Sequence, residues 1–142
     1  MLGRFHRLLA VGLICVLLGA CSAARPPLEL APPGDIVQKA ILLQLELAQQ
    51  RLAEQLDTPQ PRPKIGSISV KQLDPLYTDS LATYHLQGTY NLRLQLPHQE
   101  ISQSNPFDIF LQRQIEGKSW RLLREENQGE NQQSQWFSYL VP

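Results

Sequence analysis

The 142-residue chain carries 13 basic and 13 acidic side chains, with no formal net charge. No basic patch interleaved with aromatics points to nucleic acid, and no long acidic run points to a solvating tail. A hydrophobic fraction of 42% excludes wholesale disorder, and the length fits one compact domain plus a tail. The only cysteines are Cys15 and Cys21, so the long remainder of the chain has no disulfide and no cysteine-built zinc or iron–sulfur site.

The start reads in three parts. Met1 to Arg7 is short and basic through Arg4 and Arg7, Leu8 to Leu18 reads LLAVGLICVLL, and small Gly19 and Ala20 precede Cys21. That is the order of a secretory signal, with the two arginines staying on the cytoplasmic side. The apolar stretch of about 13 residues is shorter than the roughly 20 that a membrane-spanning helix needs.

Leu18-Gly19-Ala20-Cys21 resembles the lipobox of bacterial lipoproteins. The resemblance implies removal of residues 1–20, a diacylglycerol thioether on Cys21, and often acylation of the new amine. Cys15 does not compete, because bulky Ile14 precedes it where a small residue is needed. Membrane lipid is then the first partner. Each buried methylene contributes about 0.8 kcal/mol, and two chains hold where one gives only marginal binding. In enteric-type bacteria the family pattern keeps lipoproteins with Asp after the cysteine at the inner membrane. Ser22 therefore favours an exported protein on the outer membrane.

Residues 21–34 form the lipidated cysteine and a proline-rich tether. Pro26, Pro27, Pro32 and Pro33 forbid regular helix or sheet. An extended polyproline conformation at about 3.1 Å per residue would let this segment hold a domain up to roughly 40 Å from the lipid.

Residues 35–142 form the single domain. Asp35 and Gln38 make a capping-box pattern at the start of a helix over Asp35 to Leu56. Val37, Ile41, Leu45, Ala48, Leu52 and Leu56 recur at helical spacing, so one face is buried. Thr58-Pro59 and the prolines that follow stop it.

After Lys64 the pattern turns to strands. Ile65 to Val70 is a short strand, and Asp74-Pro75 marks a break. From Thr83 to Leu96 the alternation is unbroken, with Tyr84, Leu86, Gly88, Tyr90, Leu92, Leu94 and Leu96 on one face. Gly88 marks a bulge or bend on that face. Phe107 to Ile115 forms a third strand, with Phe107, Ile109, Leu111 and Ile115 inward and Arg113 interrupting. Glu116-Gly117-Lys118-Ser119 is a hairpin turn, Trp120 to Arg124 its return strand, Asn127 to Gln135 a polar loop, and Trp136 to Val141 the last strand.

These elements predict an α+β domain, with one long N-terminal helix packed on a curved antiparallel sheet of four to five strands. Element order, the long bent strand and the hairpin ending in Gly117-Lys118-Ser119-Trp120-Arg121-Leu122 resemble cystatin-like and NTF2-like folds. NTF2-like domains usually carry more helix to close a pocket.

No catalytic pattern stands out. His85, on the polar face of the long strand, and His98, in a loop from Pro97 to Pro106, lack metal-ligand spacing, and no metal or other cofactor is expected. Asp79 and Asp108 are candidates to orient His85 as a base, but no spacing brings either to it. The polar face of the sheet is the better candidate surface. Phe110 and Tyr139, if they lie there with His85 and Arg93, would form a patch for a partner protein of the cell envelope. The expectation is a membrane-anchored, non-enzymatic binding or assembly module. The alternative is an NTF2-like small-ligand carrier or enzyme with its site between helix and sheet.

Overall fold

The computed structural model describes residues 24–56, 62–128 and 133–142. The expected leader and lipobox, residues 1–21, lie outside the described residues, as do residues 22–23, 57–61 and 129–132.

One helix, α1 (Gly34–Leu56), packs on a five-stranded antiparallel sheet. The strands are β1 (Pro63–Thr78), β2 (Leu81–Gln95), β3 (Glu100–Arg113), β4 (Trp120–Gln128) and β5 (Gln133–Leu140). They follow one another in space as in sequence. The α+β class and curved sheet expected from the sequence are therefore present.

Helix α1 starts where Pro32 and Pro33 end, with the Val37 amide donating to the Pro33 carbonyl at 3.1 Å. Asp35 lies in the first turn, where a carboxylate complements the helix dipole. Burial is concentrated at Val37, Ala40 and Ile41, one helical face. The rest of the expected stripe does not follow: Leu45 is only partly buried, Ala48 is exposed, and Leu52 is 50% exposed. The first half of the helix is packed, and the second half runs past the core. It is tied down by an ion pair, Arg51 Nη2 to Glu126 Oε2 of β4 at 2.5 Å.

Opposite Val37, Ala40 and Ile41 stand Tyr84 and Leu86 of β2, Phe107, Ile109 and Leu111 of β3, and Trp120 and Leu122 of β4. Ala40, Tyr84, Leu111 and Leu122 are fully buried. Because paired residues share a face and alternate along a strand, this core fixes which side chains point away from the helix.

Several boundaries differ from the sequence expectation for identifiable reasons. β1 runs through Pro75, which pairs with Tyr84. An edge strand turns alternate amides outward, so a residue without an amide fits there. The bulge expected at Gly88 lies across from it, between Val70 and Gln72 of β1, with a second irregularity between Ile65 and Ile68. The polar stretch from Glu100 to Pro106 belongs to β3, not to a loop. Ile115, expected in the core, is 92% exposed, because β3 ends at Arg113 and Ile115 lies in the turn. In the polar stretch Asn127 to Gln135, the described residues are strand, with Asn127 paired to Ser134.

Turn chemistry closes the hairpins. Asp79 and Ser80 both have positive φ, 51° and 64°, as a two-residue turn between β1 and β2 requires. Gly117, at φ 74°, occupies the left-handed position between β3 and β4. The Arg113 guanidinium donates to its carbonyl at 2.9 Å.

The proline-rich segment is partly folded into the domain. Pro26 and Pro32 are buried, and Leu28–Leu30 forms a single 3-10 turn. The buried Tyr84 hydroxyl donates to the Pro27 carbonyl at 2.7 Å. Proline rings offer apolar surface with no amide to satisfy, so this strap can lie on the core without an unmet donor.

Candidate functional site

The face of the sheet away from α1 carries Leu76 and Thr78 on β1, Thr83, His85 and Gln87 on β2, and Asp108, Phe110 and Gln112 on β3. Leu123 on β4 and Trp136 and Ser138 on β5 continue it. The β2–β3 register sets His85 opposite Phe110 and Gln87 opposite Asp108. His85 stacks flat on Phe110, with ring centroids 4.1 Å apart and planes within 4°. Phe110 meets the Trp136 ring edge-on at 5.4 Å and 89°. Three rings from three strands thus form one continuous array. Offset and edge-on contacts are the arrangements that aromatic quadrupoles favour.

Asp108 fixes the array at one side. Its Oδ1 lies 2.6 Å from His85 Nε2, and its Oδ2 accepts from Gln87 Nε2 at 2.6 Å. Partial burial would raise the Asp108 carboxyl, but the hydrogen bonds from Gln87 and His85 and the imidazole charge outweigh it. The carboxyl is held below its ordinary value. An ionised Asp108 only accepts, so His85 Nε2 carries the proton it shares with Oδ1.

Beside this array the sheet curls. Gln112 Nε2 of β3 reaches across β2 to the Thr78 carbonyl of β1 at 3.1 Å, and both Gln112 and Thr83 are buried despite facing away from the helix. The curl brings both edge strands, β1 through Leu76 and Thr78 and β5 through Trp136 and Ser138, to one cleft of about 340 Å³. Its floor is Phe110, Gln112 and Leu123. Trp136 is 52% exposed at the cleft. Next to it the sheet divides: β3 and β4 pair only from Phe110–Leu123 to Arg113–Trp120. Asp108 and Ile109 face Arg124 and Glu125 across the gap beyond.

The four residues expected to form a patch are not all brought together. Phe110 and His85 are in contact. Tyr139 is on the opposite face: it pairs with buried Leu122, packs against the core and donates to Glu126 Oε1 at 3.1 Å. Arg93 faces outward but sits toward the far end of β2, 4.0 Å from Glu100 of β3. Asp108, which no spacing had linked to His85, is its hydrogen-bond partner. Gln87 and Trp136 complete the cluster.

Chemically the cluster is an aromatic platform with one oriented carboxylate–imidazole pair. The His85–Asp108 pair holds an imidazole ring against Phe110. Among the described residues no group of three or more His, Cys, Asp or Glu side chains is placed to hold a metal. No described helix is long and apolar enough to cross a membrane. No family model, curated protein or solved structure matches the chain.

Proposed function

We propose that this chain is an exported bacterial lipoprotein, held to the membrane by acylated Cys21, whose domain is a non-enzymatic docking module of the cell envelope. The observation that carries the docking reading is the exposed Trp136 ring, braced edge-on by Phe110 beside a cleft of about 340 Å³ on the face opposite the helix. A half-exposed tryptophan in contact with a second aromatic is the kind of anchor that dominates protein–protein binding energy. The His85–Asp108–Gln87 network orients the imidazole that stacks on Phe110, an arrangement that supports a preorganised platform.

The anchoring half of the reading rests on the leader and on Leu18-Gly19-Ala20-Cys21. Ser22 favours the outer membrane. A cystatin-like architecture is the finer fold reading, supported by one helix followed by a five-stranded meander. An NTF2-like carrier or enzyme would need space between helix and sheet. Val37, Ala40 and Ile41 meet Tyr84, Leu86, Ile109 and Leu111 there, all buried, which favours docking over a ligand interior.

A photo-crosslinking amino acid at position 136, introduced into the full chain in cells, tests the docking reading. A discrete adduct is expected at 136 and none at exposed position 102. The adduct should weaken in the Phe110→Ala background. Equal crosslinking at both positions, or none at 136, would overturn it.

A further inference from the structure

We propose that the turn end of the sheet is a membrane-contacting surface, seated on the lipid in which Cys21 is anchored. The inference rests on the lipoprotein reading and specifies what the domain does at that membrane. It replaces a domain on a long stalk with one lying on the bilayer.

The first observation is the length of the leash. The strap is fixed to the domain at Pro26, which is buried, and at Pro27, whose carbonyl accepts from Tyr84. Only Ser22, Ala23, Ala24 and Arg25 separate Cys21 from Pro26. Five residue steps, fully extended, reach at most roughly 18 Å. That is less than half of the reach a free proline tether would give, so the end of the domain bearing Pro26 stays within contact range of the headgroups.

The second observation is what that end exposes. Antiparallel order puts the end of β1, the end of β3, the start of β4 and the end of β5 together. The strap and the β3–β4 turn line one groove there, through Leu30 and Ala31 on one side and Gly117 and Lys118 on the other. Of the nine large apolar side chains exposed among the described residues, five lie at this end. They are Leu28 (63%), Leu30 (38%), Tyr77 (49%), Ile115 (92%) and Leu140 (58%). The opposite end, with its loop at Leu96 to Gln99, presents Pro97, His98 and Gln99 to solvent, with Ile101 (39%) the one exposed large apolar side chain beside that loop.

Charge states which kind of lipid contact this is. Arg25, Arg113, Lys118 and Arg121 at this end are offset by Glu29, Asp35, Asp79 and Glu116. The surface therefore does not select anionic headgroups. Its contact is the shallow apolar insertion of leucine, isoleucine and tyrosine at the interface, at a site already brought near by acylation.

The test uses the acylated mature protein, where lipidated Cys21 leaves no free thiol. Ile115→Cys or Ser102→Cys then gives one labelling site each, at opposite ends and both exposed. The nitroxide-labelled proteins are reconstituted into vesicles of zwitterionic phosphatidylcholine. Accessibility to oxygen and to a water-soluble nickel complex is then measured. The oxygen-to-nickel ratio is expected to be several-fold higher at 115 than at 102, to persist in high salt, and to fall when Leu28→Ser and Leu30→Ser are combined. Equal ratios in protein that floats with the vesicles overturn the surface while leaving the anchor intact. Protein with intact Cys21 that fails to float overturns both.

Discussion

Replacing Gly88 by alanine tests the packing that bends the sheet. Gly88 sits mid-strand on the helix-facing side of β2, between Val70 of β1 and Phe107 of β3. A Cβ there would run into the Ser69 carbonyl oxygen and stand 2.9 and 3.0 Å from two Phe107 ring carbons. Elsewhere in a strand, alanine for glycine stabilises slightly by restricting the unfolded chain. Here the Ser69 carbonyl is backbone in the bulged strand and cannot turn aside, and Phe107 is 5% exposed in the core. Overpacking of this kind costs about 1–3 kcal/mol, and the backbone contact puts Gly88→Ala at the upper end. For a domain of this size 1 kcal/mol moves Tm by roughly 5 °C, so Tm should fall by about 10–15 °C. Gly34→Ala is the control, because a Cβ there meets nothing within 4 Å. Thermal unfolding followed by circular dichroism measures both. A Gly88→Ala Tm within the error of the parent would refute the close approach of β1 over β2.

Other outcomes follow from the same contacts. Ile41→Ala should destabilise by about 2–5 kcal/mol, whereas Leu52→Ala, on the exposed half of α1, should stay within about 0.5 kcal/mol in urea denaturation. Tyr84→Phe removes the hydroxyl that holds Pro27 and should cost about 1 kcal/mol. It should also speed hydrogen exchange of the Leu30 and Ala31 amides, read by mass spectrometry. Burial would raise the Glu126 carboxyl, but hydrogen bonds from Arg51 and Tyr139 and the charges of Arg51 and Arg124 hold it below its ordinary value of 4.5. A lowered folded value means that this stabilisation is complete above pH 4.5 and is lost as pH falls through the folded value. Glu126→Gln should therefore narrow the stability difference between neutral and acid pH in chemical denaturation. An unchanged acid slope would show that the pair with Arg51 contributes nothing.

The helix and the long second strand were legible because their periods are long and unbroken. The seven-fold alternation from Tyr84 to Leu96 leaves no second solution, and Tyr84, Leu86 and Tyr90 are the buried apolar residues of that strand. What the sequence hid was register. Reading Pro97 to Pro106 as a loop leaves β2 and β3 unaligned. With the loop reduced to Leu96–Gln99 and Gln95 set opposite Glu100, each later pair follows one for one, and His85 meets Phe110. Asp108 then falls beside His85 without any motif. The side that Tyr139 takes is hidden for the same reason: it depends on the β4–β5 pairing with Leu122, which a polar stretch does not reveal. Ile115 misled because apolar character marks a core only inside a strand, and Gly117 turns the chain just after it.

The proposed anchor at Cys21 is the premise on which address, leash and membrane contact all depend. Growth with a radiolabelled fatty acid, followed by isolation of the protein, tests it most directly. The parent chain should carry label and Cys21→Ala should carry none, with intact mass placing the mature start at Cys21. Label that persists in Cys21→Ala, or a parent chain that begins at Met1 with no added lipid mass, would contradict the account.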